Sequence, residues 1–267
     1  MTSRRRRFGA VAAIVATVVV LVWSLVAGIG APPATADDAA PIRIAWPTDA
    51  ADALLWIALD DDAFRDAGAR VEAVAHDRDD DGTRRLLDDL RAGTIDLAAV
   101  ALHDVAAEFA SRDGRVAADD PTILAAIAHV AEAAPATALA HRVVVARRSD
   151  VARDPDRYAR VLTALAATLD ATGGGTEPLP DGFARSSGVA PDVAADRYRA
   201  TTLDLSLEWN VLAAFLALGD RFRAEGRAAW PPDGPVLGAF DPRPLERAAS
   251  PAPTFPWLAP GSGAGAP

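Results

Sequence analysis

The chain has 267 residues, 51% of them hydrophobic, which is enough to bury one large core or two small ones. It has no cysteine, which excludes disulfides, thiolate metal sites and thiol catalysis. Its net charge is −10, from 37 acidic and 27 basic side chains, and that excess argues against nucleic acid and anionic lipid as partners.

Four arginines stand at positions 4–7, and residues 8–29 then carry no charge. Ala34, Thr35 and Ala36 follow as an A-x-A cleavage signal. Residues 1–36 therefore read as an export signal cut after Ala36. The apolar run is also long enough to span a bilayer, so an uncleaved anchor through residues 8–29, arginines inside, is the other reading. Both put the remainder outside the cytoplasm, periplasmic or secreted. Removing 1–36 takes four arginines and no acid, which moves the net charge from −10 to −14.

A first strand is expected over residues 42–47 (IRIAWP), from its alternation of apolar and polar side chains. Residues 52–67 hold Leu54, Leu55, Ile57, Ala58, Leu59 and Phe64 at helical spacing, with Gly68 as a C-terminal cap. RVEAVAH (70–76) is a second strand and GTRRLLDDLRAG (82–93) a second helix. TIDLAAVAL (94–102) is a strand apolar enough to be covered on both faces. A helix over 103–114, a strand over 121–130 and a fifth strand over 141–150 follow. Pro155 opens a helix that runs to residue 171. Residues 172–187 form a Gly/Pro-rich loop, and helices are expected over 191–199 and 205–225. Residues 37–250 make one domain, and 251–267 (PAPTFPWLAPGSGAGAP) a disordered tail. The strand–helix alternation predicts an α/β fold: a mostly parallel sheet of about five strands flanked by helices, with C-terminal helices after it.

One turn invites a metal reading. Asp77, Asp79, Asp81 and Gly82 match the opening of a calcium loop. Position 12 falls on Asp88 rather than a bidentate Glu, Arg84 stands where the ion's shell would be, and the preceding element reads as a strand. An acidic turn at the positive end of a helix is the better account. His76, His103, His129 and His141 lack metal-ligand spacing, and no metal or other cofactor is expected. No G-x-S-x-G or Walker loop is present, so no enzyme is expected.

LLWIALDDDAFRDAGARVEAV, followed by LLDDLRAGTIDLAAV, resembles the first lobe of periplasmic substrate-binding proteins of the nitrate/sulfonate/taurine and thiamine-precursor class. HRVVVARRSDVARDPDRYARVLTAL is similar to their returning strand and helix, and SSGVAPDVAADRYRATTLDLSLEWNVLAAFLALGDRFRAEGRA resembles their C-terminal helices. The resemblance implies a periplasmic-binding-protein-like lobe that takes a small organic solute and an ABC permease as partner. Members of the class insert a second lobe after the fourth strand. Here only residues 131–140 are available, so the chain resembles a one-lobed relative. A membrane-anchored structural or sensory domain without a ligand is the alternative.

In open α/β sheets, ligands bind beyond the carboxyl ends of the strands. Trp46, Pro47 and Thr48 follow the first strand, Gly82 and Thr83 open the helix after the second, and Leu102 and His103 follow the third. Trp46 offers an aromatic face, Gly82 and Thr83 offer backbone N–H groups, and His103 offers a ring nitrogen. The aspartates beside Gly82 favour a neutral or cationic ligand over an anion.

Overall fold

The computed structural model describes residues 40–45, 49–76, 82–112, 116–131, 139–173, 182–183, 185, 188–227 and 236–248. The expected export segment (1–36), the calcium-like turn at 77–81, Trp46, Pro47, Thr48 and the expected tail (251–267) lie outside the described residues. Strand β1 (Ile42–Ala45) is followed by helices α1 (Ala53–Asp60) and α2 (Ala63–Asp66), then β2 (Val71–Val74). Helix α3 (Gly82–Ala92), β3 (Leu97–Ala101) and α4 (Leu102–Ser111) come next. Strands β4 (Pro121–Ala131) and β5 (Leu139–Arg147) lead into α5 (Arg148–Arg153) and α6 (Pro155–Ala171). The C-terminal part holds α7 (Pro191–Arg199), β6 (Thr201–Ser206), α8 (Trp209–Ala224) and α9 (Arg243–Arg247).

The α/β class and the flanking helices stand, but the sheet is mixed, with six strands in the order β2-β1-β3-β5-β4-β6. β1 pairs parallel with β2 and β3, whereas β3–β5, β4–β5 and β4–β6 are antiparallel. The reason lies in the connection. Residues 132–138 alone join β4 to β5, and a parallel return needs a crossover of about a dozen residues or more. A hairpin is the geometry that fits. The same segment is too short to hold a second sheet.

Two further boundaries differ. Residues 201–206 were expected to lie at or before the start of a helix and instead form the sixth strand. Thr201, Leu203 and Leu205 are buried there while Thr202 is exposed, a period of two. The expected helix over 52–67 is two helices, because Asp62 takes a left-handed conformation at φ 57° between them. The triplet Asp60, Asp61, Asp62 interrupts the apolar stripe at that point.

The core follows from composition along the central strands. Ile123 to Ala128 in β4 and Val143 to Ala146 in β5 are all fully buried. Both strands are therefore covered on both faces, as β3 is. On α6, Tyr158, Val161, Leu162 and Leu165 recur at helical spacing and are buried, packing against α1, α2 and α9. Helix α4 packs on α8, with Phe109 against Phe215 at 5.7 Å and Phe215 against Phe240 at 5.3 Å.

A charged pair ties this core to the turn before α1. Arg142 of β5 donates from Nη2 to Asp52 Oδ2 at 2.9 Å and from Nε to Asp52 Oδ1. Asp52, in the turn that leads into α1, is only 2% exposed. Burial pulls the Arg142 pKa down, but Asp52, Asp49 and Asp104 outweigh it and leave it raised. The pair thus fastens α1 to the centre of the sheet. Asp52→Ala should strand the guanidinium without its partner and cost roughly 3–5 kcal/mol, read as a lower midpoint in urea unfolding.

At the end of α3, Gly93 has φ +71°, and a Cβ there would stand 2.8 Å from Arg147 Nη1. Gly93→Ala should cost about 1–2 kcal/mol in the same assay, from left-handed strain before any displacement of Arg147.

Candidate functional site

Strand direction decides what can meet. β1, β2, β3 and β4 all run the same way, and β5 and β6 run against them. The carboxyl ends of the first four and the amino ends of the last two therefore share one edge of the sheet. Leu102 and His103 follow β3 there, and Arg142 sits opposite Ala101 across the β3–β5 ladder.

A cleft of about 550 Å³ opens between α3, α4 and the end of α8, within the size range of small-ligand sites. Its lining includes Thr83 and Arg84 from α3, His103, Asp104, Glu108 and Ser111 from α4, Phe222 from α8, and Arg227 just beyond it. Two of the residues singled out from sequence, Thr83 and His103, thus come from different helices into one cleft. Gly82 opens α3 beside Thr83 but does not line the cleft, and Leu102 is 1% exposed with its side chain in the core. Leu102 could reach a ligand through its backbone alone. Trp46, Pro47 and Thr48 fall outside the described residues.

The cleft wall is both aromatic and charged. The His103 ring meets Phe222 edge-on at 5.2 Å, and the Arg227 guanidinium lies 4.8 Å from the Phe222 centroid, in cation–π range. His103 Nδ1 is 3.3 Å from Asp104 Oδ1. Glu108 is held by Arg91 at 2.6 Å and by Arg112 at 3.0 Å, so its charge is already answered within the fold. The wall can therefore offer a solute hydroxyl, imidazole and guanidinium groups alongside an apolar ring.

Sequence reasoning missed Arg142, Phe222 and Arg227. Arg142 had a signal: it is a lone charge in the otherwise apolar run HRVVVA, and a buried charge requires a partner. Phe222 and Arg227 had none, because a helical Phe reads as core and only packing of α8 on α4 brings it to His103. The four histidines do not gather. His76 lies 3.7 Å from Asp89, His103 faces the cleft, and His129 and His141 touch each other at the β4–β5 part of the same sheet edge, outside the cleft lining. Among the described residues, no three metal-binding side chains converge.

No family model matches the chain, and no curated protein matches it. Solved structures do. The Candida albicans CA3427 gene product, described as having the generic periplasmic binding protein fold, superposes with a TM-score of 0.58 at 9% identity, over 81% of this chain and 98% of that one. The ligand-binding component of an ABC-type import system from Staphylococcus aureus, solved with zinc bound, gives 0.55 at 9% identity, over 80% and 100%. The alkanesulfonate-binding protein SsuA from Xanthomonas axonopodis pv. citri, bound to MOPS, gives 0.51 at 15% identity, over 76% and 100%. At such identities the likeness establishes architecture: the chain has the periplasmic-binding-protein fold.

Proposed function

We propose that the protein is an extracytoplasmic solute-binding module, the substrate-binding component of an ABC importer for a small organic solute or a reduced relative of one. The observation that carries this reading is the meeting of Thr83 and His103 in one cleft, beside the sheet edge where open α/β folds take ligands. Gly82 and Leu102 would contribute backbone N–H groups, and Trp46, Pro47 and Thr48 the neighbouring loop. An ABC permease would be the partner. Residues 1–36 would direct export, cleaved after Ala36 or retained as an anchor through 8–29. Among the described residues, no helix is long and apolar enough to cross a membrane.

The short β4–β5 connection favours a second reading. Two-lobed binders close over a ligand, and small ligands need roughly 70–90% of their surface buried. Residues 132–138 leave no room for a second lobe between β4 and β5, and a cleft left open on one side would suit a membrane-held structural or sensory domain.

A thermal-shift screen across small organic solutes separates the two. A true ligand at 100 times its Kd adds about 2.7 kcal/mol of stability, a rise of roughly 5–10 °C for a domain of this size. Thr83→Val and His103→Ala should each remove most of that rise while leaving the unliganded Tm within a degree or two. A screen in which no solute moves Tm supports the ligand-free reading. A solute whose shift survives both substitutions binds somewhere other than this cleft.

A further inference from the structure

Strands β5, β4 and β6 are neighbours, and they place three titratable side chains in a line. Ser206 Oγ donates to Asp204 Oδ2 at 2.6 Å, and His129 Nε2 lies 2.7 Å from the same oxygen. On its other side, His129 Nδ1 lies 2.7 Å from His141 Nδ1. The two rings are nearly perpendicular, at 87°, on residues directly opposite in the β4–β5 ladder. His141 closes the line at 3% exposure, while the Asp204 side chain, at 28%, meets solvent. His129 spends its two nitrogens in opposite directions. The donors do not converge on a point, as a metal would require, and they form a hydrogen-bonded chain instead.

The proton count of this chain is limited. Burial pushes the Asp204 pKa up, but the hydrogen bonds from His129 and Ser206 outweigh it and hold it below the usual range. Asp204 is therefore an acceptor, and His129 Nε2 must carry a hydrogen. With both rings neutral, His141 Nδ1–H donates to the bare His129 Nδ1, and His141 Nε2 keeps the one open lone pair. A single added proton binds at that Nε2. The bridging hydrogen can then pass to His129, which sets the imidazolium against the Asp204 carboxylate with every bond of the chain kept. A second added proton gives all four ring nitrogens a hydrogen. Two N–H groups then face each other across the Nδ1–Nδ1 contact, and two cations touch.

We propose that Asp204, His129 and His141 form a proton-binding site that accepts one proton intact and is broken by a second, loosening the end of the β4–β5 hairpin beside Arg142. The charges that bear on His141 are His129 from β4 and Asp204 from β6, while the adjacent Arg142 is turned to Asp52. Burial, and after it His129, lowers the His141 pKa from 6.5 to about 4. The unfolded chain thus binds more protons than the folded one between those values. Stability contributed by the neutral ring is whole above pH 6.5, declines as pH falls, and is gone below about 4.

The test follows Tm of the full chain from pH 7.5 to 4, for wild type and His141→Gln. Glutamine keeps a polar group toward His129 but takes up no proton. Wild type should lose roughly 5 °C more than the variant between pH 6.5 and 4.5, and equal losses overturn the proposal. Histidine C2–H resonances followed by NMR on wild type give a reading that does not depend on the variant folding. The His141 ring should titrate in a step well under the ordinary histidine value, below pH ~5. A His141 step near the ordinary histidine value would sink the idea. Neither measurement needs a solute, so the outcome is independent of the cleft's role.

Discussion

The seven residues at 132–138 are the constraint from which most of the architecture follows. They force β4 and β5 into a hairpin, and that hairpin occupies the middle of the sheet rather than its rim. Because β4 and β5 are hydrogen-bonded on both sides and packed on both faces, their side chains from Ile123 to Ala128 and Val143 to Ala146 can all be apolar. The reversal also brings the amino end of β5 to the same edge as the carboxyl ends of β1 and β3. Arg142, one residue into that returning strand from His141, can then reach Asp52 at the start of α1.

This arrangement gives the sheet edge a buried electrostatic frame. Asp52, Asp49 and Asp104 all act on the Arg142 guanidinium, and Asp104 also lines the cleft beside His103. A charge held this deep must be matched in place, so the turn before α1 and the first turn of α4 have little freedom to drift. The cleft inherits that rigidity on its α4 side. On its other side it depends on α8, whose Phe222 and Phe215 meet His103 and Phe109 in turn. Contacts in that reversed order along the two helices make them an antiparallel pair, and their end is where the cleft lies.

The periplasmic-binding-protein fold was legible from the resemblance because strand–helix punctuation survives when identity does not. Gly68 and Gly93, both at positive φ, close helices where the sequence placed caps. Pro155 opens α6 as its position implied. β6 was lost because TTLDLS precedes a strongly helical segment, and six residues of alternation carry little weight beside it. Thr83 and His103 were visible as candidates from the loop rule, but their sharing of one cleft rests on how α3 and α4 pack.

Sequence alone determined the element types along most of the chain, the apolar stripe of α6 and the apolar runs of β3, β4 and β5, because these depend on neighbours three, four or two residues away. It also held the length of the β4–β5 connection, from which the hairpin could have been argued. Tertiary structure alone decided which strands lie side by side and which distant charges meet. Arg142 with Asp52, Phe222 with His103, and Asp204 with His129 and His141 are pairings across different elements. Their sequence partners carry no local mark, because a buried charge or ring is satisfied by whatever the fold brings to it, and only the closed sheet and its packed helices fix what that is.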